Sequence, residues 1–332
     1  MNQEISKWLN DHQIEYRIDA KLNEFTWFRS GGTAKAIIFP SSIRTLCLVI
    51  KYLNQRNENF RVIGETSNLL FLDEVDYNFL VSTLKISRVS VDRAKKEIHS
   101  ECGVKLPDLS RLALLESLDG FAGLEGIPGT VGGAVFMNAG AYGDSIHRIL
   151  KSVEVVTAAG ELLEMGAEDL GFSYRNSVFR DGRCPHIIVR ATFHLRPGDQ
   201  RAIGRKMELV HAKRHKYNDY NYPNLGRVFA GSIYRALAKR DKYYWLVSSL
   251  FYLLNYKFKI FRREAPLNRK WLNDFTVKRF GLHFDKQPFS DKTMNTIINN
   301  GQTTKVYVDY LHQVRELIRD DVPVENEIVE GF

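Results

Sequence analysis

Two periodicities alternate along the chain. Ile43, Leu46, Cys47, Ile50 and Leu53 recur at helical spacing, with Ser41 or Ser42 placed to cap the helix they predict. Short apolar runs flank it. Residues 36–39, ended by Pro40, and residues 60–63, running into Gly64, read as strands, so this stretch predicts a β-α-β unit. Further strands are predicted over 79–84, 97–101, 153–157, 161–164, 186–195 and 296–298. Helices are predicted over 1–15, 106–118 (Leu109, Leu112 and Ala113 on one face), 201–215 and 305–319. The pattern is that of a mixed α/β (α+β) protein without internal repeats. Strand pattern gives way to turn residues at Pro197-Gly198, which divides the chain into 1–198, itself split near residue 85 (1–85 and 86–198), and 199–332.

Length and composition fit that division. The chain has 332 residues, enough for two or three cores, and 44% hydrophobic with 26% charged residues predicts no long disorder. The net charge of +8 is unevenly placed. Residues 201–280 hold 19 Lys/Arg against 5 Asp/Glu, a balance of +14 that leaves −6 elsewhere. That segment should meet an anion: nucleotide phosphate, acidic lipid or nucleic acid. No nucleic-acid motif accompanies it, so nucleic acid is not the expected partner. Cys47, Cys102 and Cys184 form neither a CxxC pair nor a disulfide framework. With a polar N-terminus, this predicts a cytoplasmic protein. His211 and His215 stand four apart without a third ligand, which reads as a solvated helix face, and no metal is expected.

Two stretches look built to hold a phosphate-bearing cofactor. Gly64-Glu65-Thr66-Ser67-Asn68 follows a strand, where converging backbone N–H groups and the Thr66, Ser67 and Asn68 side chains suit an anion. The second runs from Gly123 through Gly126-Ile127-Pro128-Gly129-Thr130-Val131-Gly132-Gly133-Ala134 to Asn138-Ala139-Gly140-Ala141-Tyr142-Gly143. Glycine is entropically expensive to order, so this density points to close backbone approach to a flat cofactor and its pyrophosphate. Neither a GxGxxG fingerprint nor a P-loop is present. No histidine or cysteine lies in these loops to bond a cofactor covalently.

These residues resemble the UDP-N-acetylenolpyruvoylglucosamine reductases (UDP-N-acetylmuramate dehydrogenases). Phe28-Arg29-Ser30-Gly31-Gly32-Thr33-Ala34 is similar to their TFRxGGxA segment. Residues 64–68 are similar to their GxGSN loop, with Thr66 in place of a glycine. The long glycine stretch matches almost residue for residue. Tyr174-Arg175-Asn176-Ser177-Val178-Phe179 resembles YRxSxF. Asn295–Gly301 and Val324–Ile328 resemble the closing NFIVNxG and xExEV segments. The resemblance implies a vanillyl-alcohol-oxidase/PCMH-type FAD-binding domain over 1–198, then a smaller α/β substrate domain. It implies non-covalent FAD, NADPH as reductant and a UDP-sugar substrate in peptidoglycan precursor synthesis. Gly64, Glu65, Thr66, Ser67, Asn68, Gly126, Ile127, Pro128, Gly129, Thr130, Gly132, Gly133, Ala134, Asn138, Gly140, Ala141 and Tyr142 become the expected cofactor contacts.

By the same resemblance Arg175 and Glu327 act at the substrate carboxylate, with Glu325 and Glu330 left as surface carboxylates. Arg227 falls where the family's proton-donating serine stands, if Tyr222-Pro223 anchors the alignment. An arginine is a poor donor at neutral pH. A slipped alignment makes Ser232 the donor instead; a water or a tyrosine is the other substitute. A paralogue acting on another nucleotide-sugar, and a flavin module without catalysis, are the rival readings. Retention of Arg175 and Glu327 speaks against the second. An aromatic and basic insertion at about 236–270 departs from the family pattern. Its run 241–263 fits core or lid packing, an oligomer contact, or peripheral contact with an anionic membrane.

Overall fold

The protein is described from a computed structural model covering residues 3–257, 268–319 and 322–332. The first unit is a four-stranded sheet in the order Glu15–Lys21, Thr33–Phe39, Tyr77–Ser82, Phe60–Ile63. The first pair is antiparallel and the other two pairs are parallel. Helix Ile43–Gln55 covers one face with Leu46, Val49, Ile50 and Leu53 buried, and Ser42 is its cap, its Oγ accepting from the Thr45 amide at 3.2 Å. Strands Thr33–Phe39 and Phe60–Ile63 flank this helix in the chain but are not neighbours, because Tyr77–Ser82 lies between them. The helix predicted over 1–15 ends at Asp11, and Glu15–Lys21 is a strand instead. That strand lies at the sheet edge with only Ala20 buried, so it carries no apolar alternation to announce it.

The second unit is a five-stranded antiparallel sheet in the order Leu162–Gly166, Leu150–Val156, Ile187–His194, Glu97–Glu101, Val89–Asp92. Helix Leu106–Leu115 and a short helix, Val131–Phe136, share its core. The glycine stretch is therefore not all loop: its middle turns helical behind Thr130, whose hydroxyl accepts from the Gly133 amide.

Helices Ile233–Ala238, Lys242–Tyr252, Lys270–Phe280 and Thr304–Ile318 surround the hairpin Phe289–Ser290/Thr293–Ile297 in the last unit. Its core is rich in tyrosine, and the buried hydroxyls are partnered. Tyr310 donates to the Met294 carbonyl at 2.7 Å, and Tyr244 meets Thr276 Oγ1 at 2.8 Å. The units interpenetrate. Helix Gln200–Tyr217 leans back on the second unit through Ile203 and Met207. Strand Glu327–Val329 pairs in parallel with Leu69–Phe71 of the first. Phe28 is fully buried in the C-terminal core, edge-on to Tyr307 at 5.0 Å between ring centres.

Phe28→Ala should empty that socket and destabilise the protein by about 3–5 kcal/mol. Urea unfolding measures it, and a loss below about 1 kcal/mol would mean the socket is not what joins the halves.

Candidate active site

The units meet around one cavity of about 2100 Å³. Sixteen of the seventeen expected cofactor contacts line it. The exception is Asn138, whose amide is spent on the Ser173 carbonyl at 2.8 Å and on His147.

The two glycine loops are bolted to each other. Glu65 accepts from the Gly129 amide at 2.8 Å and is itself met by Lys105 Nζ at 3.1 Å. Ser67 Oγ donates to the Pro128 carbonyl at 2.8 Å. Thr66 Oγ1 accepts from the Trp27 amide at 2.8 Å, and the Trp27 indole donates to the Asn224 carbonyl at 2.8 Å. The Thr66 and Ser67 hydroxyls, expected to donate to an anion, are engaged here with protein. A Cβ on Gly64 would stand 2.3 Å from Thr130 Oγ1, so the first loop touches the second because residue 64 has no side chain. Thr66 has φ +59°, the left-handed region that a β-branched residue rarely enters. The backbone at residue 66 thus takes a shape that glycine adopts freely, and the bond to Trp27 holds it there.

A further residue outside the motifs reaches the second glycine loop. Arg214, on helix Gln200–Tyr217, is buried against Gly126. It donates to the Gly123 carbonyl at 3.2 Å and lies 5.2 Å over the Tyr142 ring, while its Nε has no partner. Burial draws its pKa below the usual arginine value. The only sequence signal for it was the basic balance of residues 201–280. Cys102 also lines the cavity, its carbonyl accepting from the Gly132 amide at 2.8 Å. Burial pushes its thiol up to about 12.

At the other end of the cavity Arg175 stands with φ +53°. Its Nε is 3.7 Å from Glu325 Oε2, and Tyr174 donates to Glu325 Oε1 at 2.6 Å. Glu325, expected at the surface, is buried at 8% exposure because these two groups enclose it. Burial and then the Glu325 bond raise the Tyr174 phenol above its ordinary pKa. Glu327 lines the cavity as well, with its carboxylate bonded to Arg61 and its amide donating to the Asn68 carbonyl at 3.0 Å. Arg227 lines the same space with its side chain exposed, and among the described residues no carboxylate pairs with it. Backbone bonds from Val228 to Asn295 and from Glu325 to Val228 fix its place between those elements. Ser232 lines the cavity too, but its hydroxyl is the cap of helix Ile233–Ala238.

The insertion divides between core and cavity. Tyr244 is buried and stacks on Phe275, while Trp245, Ser248, Ser249, Tyr252 and Leu253 line the cavity. Tyr243, Leu246 and Leu250 remain exposed. Residues 258–263 of the run 241–263 lie outside the described residues. No helix among the described residues is long and apolar enough to cross a membrane. His211 and His215 touch through their Nε2 atoms at 3.0 Å, and the described residues hold no group of three metal-ligating side chains.

Comparison with known proteins places this geometry. Residues 34–166 match the FAD binding domain family. UDP-N-acetylenolpyruvoylglucosamine reductase of Carboxydothermus hydrogenoformans is 38% identical over 229 residues, 69% of this chain and 74% of that protein. Its namesake in Streptococcus mutans is 37% identical over 216 residues, 65% of this chain and 69% of the relative. The crystal structure of UDP-N-acetylenolpyruvylglucosamine reductase from Thermus caldophilus has the same fold. Its TM-score is 0.67 at 24% identity, over 95% of this chain and 98% of that one.

Gly64→Ala should drive the two loops apart, an overpacking of about 1–3 kcal/mol. The purified variant should carry less flavin per protein by its visible absorbance. Flavin content equal to that of the unaltered protein would mean the closeness of the loops is not what holds the cofactor.

Proposed function

The chain belongs to the UDP-N-acetylenolpyruvoylglucosamine reductase family, and from that premise we propose that it reduces UDP-N-acetylglucosamine enolpyruvate to UDP-N-acetylmuramate in peptidoglycan precursor synthesis, with FAD as cofactor and NADPH as reductant. The observation that carries this reading is the meeting of the glycine loops with Arg175, Glu325, Glu327 and Arg227 in one cavity. Residues 1–198 would hold the cofactor and 199–332 would complete the substrate end.

The residues suit FAD. The small-residue loops allow close approach, and Arg214 offers an unpartnered buried donor beside Gly126. The volume exceeds the roughly 300–1,000 Å³ of a pocket for one small ligand, leaving room for cofactor and substrate together. Bound FAD would supply the two electrons, taken from NADPH.

The protein's part is position and charge. Reduction at the β-carbon loads negative charge onto the enolpyruvyl carboxylate, and Arg175 would stabilise it. Glu325 and Tyr174 would keep the guanidinium aimed. Glu327 would serve as an acid only by leaving its bond to Arg61. Arg227 would bind a carboxylate or phosphate by its planar fork and retain its proton. The α-carbon proton then comes from Ser232, Tyr174 or water. One observation favours a second reading: Arg227 puts a cation where the family pattern has a hydroxyl. That suits a paralogue whose nucleotide-sugar carries a further anionic group. A flavin module without catalysis would have no use for the enclosed Glu325–Arg175 pair.

The test is spectroscopic. NADPH added without oxygen should bleach the flavin, and UDP-N-acetylglucosamine enolpyruvate should restore its colour. Colour that stays bleached would replace the first reading with the second. Arg175→Met should lower kcat by about 10²–10³-fold, the usual effect of removing one transition-state donor, with an unchanged flavin spectrum. Turnover unaffected by this change would remove Arg175 from the chemistry.

A further inference from the structure

The end of the cavity built by the inserted helices has an unanswered charge. Arg269, just ahead of helix Lys270–Phe280, lines the cavity. Its guanidinium carbon lies 5.3 Å from the ring centre of Tyr234 and 5.6 Å from that of Tyr252. The rings are fixed. Tyr234 donates to Asn273 Oδ1 at 2.6 Å and accepts from the Met294 amide at 3.0 Å, and Tyr252 packs on Phe251 and Tyr256. The Arg269 amide is anchored on the Asp291 carbonyl at 2.9 Å.

No carboxylate among the described residues pairs with Arg269, and its Nε is shut off from solvent without a hydrogen-bond partner. The Tyr256 hydroxyl meets the guanidinium and the ring faces attract it, but the Nε donor is left unmet. Arg235 lines the same compartment, likewise without a carboxylate among the described residues, and both guanidiniums act on the Tyr252 phenol. One planar fork against aromatic faces, with a second guanidinium lining the same cavity, matches an anion with several oxygens attached to a flat heterocycle. The flavin loops lie on other elements, with Arg214 of their own.

We propose that Arg269, assisted by Arg235, anchors the diphosphate of a nucleoside diphosphate in a compartment built by the inserted helices. This rests on the reading that the substrate is a nucleotide-sugar. It assigns the insertion to substrate binding, and it locates the anion that the basic balance of residues 201–280 calls for.

The probe is UDP, titrated calorimetrically into the FAD-loaded protein. Arg269→Met should weaken UDP binding by about tenfold or more, the effect of a lost charged hydrogen bond. FAD content and melting temperature should be unchanged. Inorganic pyrophosphate should displace UDP, and uridine should not. UDP binding equal to that of the unaltered protein would overturn the assignment. So would loss of FAD with UDP binding intact, because the cation would then serve the cofactor's diphosphate. If Arg269→Met melts early, Arg269→Lys decides: it keeps the charge and loses the fork, so it must still weaken UDP. An unaltered protein that takes up no UDP would overturn the nucleotide-sugar reading together with this one.

Discussion

The parallel pairing of Glu327, Ile328 and Val329 with Leu69, Leu70 and Phe71 sets the rest of the structure in place. It brings the end of the chain back to the strand that leaves the first glycine loop. Tyr77 fastens it by donating to the Val329 carbonyl at 2.7 Å, and Asn78 by donating to the Phe332 carbonyl at 2.7 Å. Asn68 sits at the junction. Its carbonyl accepts from the Glu327 amide, and its side chain donates to the Glu325 carbonyl at 3.1 Å. Asn326 in turn reaches both Asn68 Oδ1 and the Leu225 carbonyl. Loop, tail and the segment before Arg227 therefore share one small network. In an extended chain, residues two apart face the same way, which is why Glu325 and Glu327 both look into the cavity. Their partners then separate them: Tyr174 and Arg175 enclose the first, and Arg61 takes the second.

The glycine loops depend on a different set of contacts. The Glu65, Thr66 and Ser67 side chains of the first loop bind the second loop and Trp27 rather than open space, so the loops are rigid before any ligand arrives. Rigidity of this kind lowers the entropy lost on binding. It also explains how the loop tolerates threonine at residue 66. The left-handed backbone costs a β-branched residue stability, and the bond from the Trp27 amide offsets part of that. Trp27 then reaches across to Asn224, so the departure from the family's glycine ends up tied to the segment that carries Arg227.

Much of this was legible in the chain. The helix over 43–55 was plain because burial on one face enforces periodicity, the strand over 60–63 because its apolar run ends at a glycine, and the glycine stretch because its spacing leaves few uses. The edge strand Glu15–Lys21 was not, since an exposed strand needs no apolar pattern. Glu325 looked like a tail carboxylate because nothing local betrays that Tyr174 and Arg175, about 150 residues earlier, fold over it. Arg214 and Arg269 were hidden in a basic segment where charge alone does not separate a solvated arginine from an enclosed one. Only the three-dimensional neighbourhood distinguishes them.

That neighbourhood gives the basic segment a meaning. Four of the cations lining the cavity have their own carboxylates: Arg61 with Glu327, Lys105 with Glu65, Arg111 with Asp108 and Glu125, and Arg175 with Glu325. Arg214, Arg227, Arg235 and Arg269 have none among the described residues. Gathering unpaired guanidiniums around one partly dry space is unfavourable in the empty protein, because each repels the others and two hold an Nε without a partner. Anionic ligands would relieve that cost. A dinucleotide cofactor and a nucleotide-sugar bearing a carboxylate bring two diphosphates and one further anion. The four cations without a carboxylate among the described residues lie at separate points of the cavity: Arg214 at the glycine loops, Arg227 near Tyr174, Arg235 and Arg269 beneath the insertion. On this view the arginine at residue 227 is part of the charge complement for the substrate, so the proton-donating role moves elsewhere while the electrostatics of the site are kept.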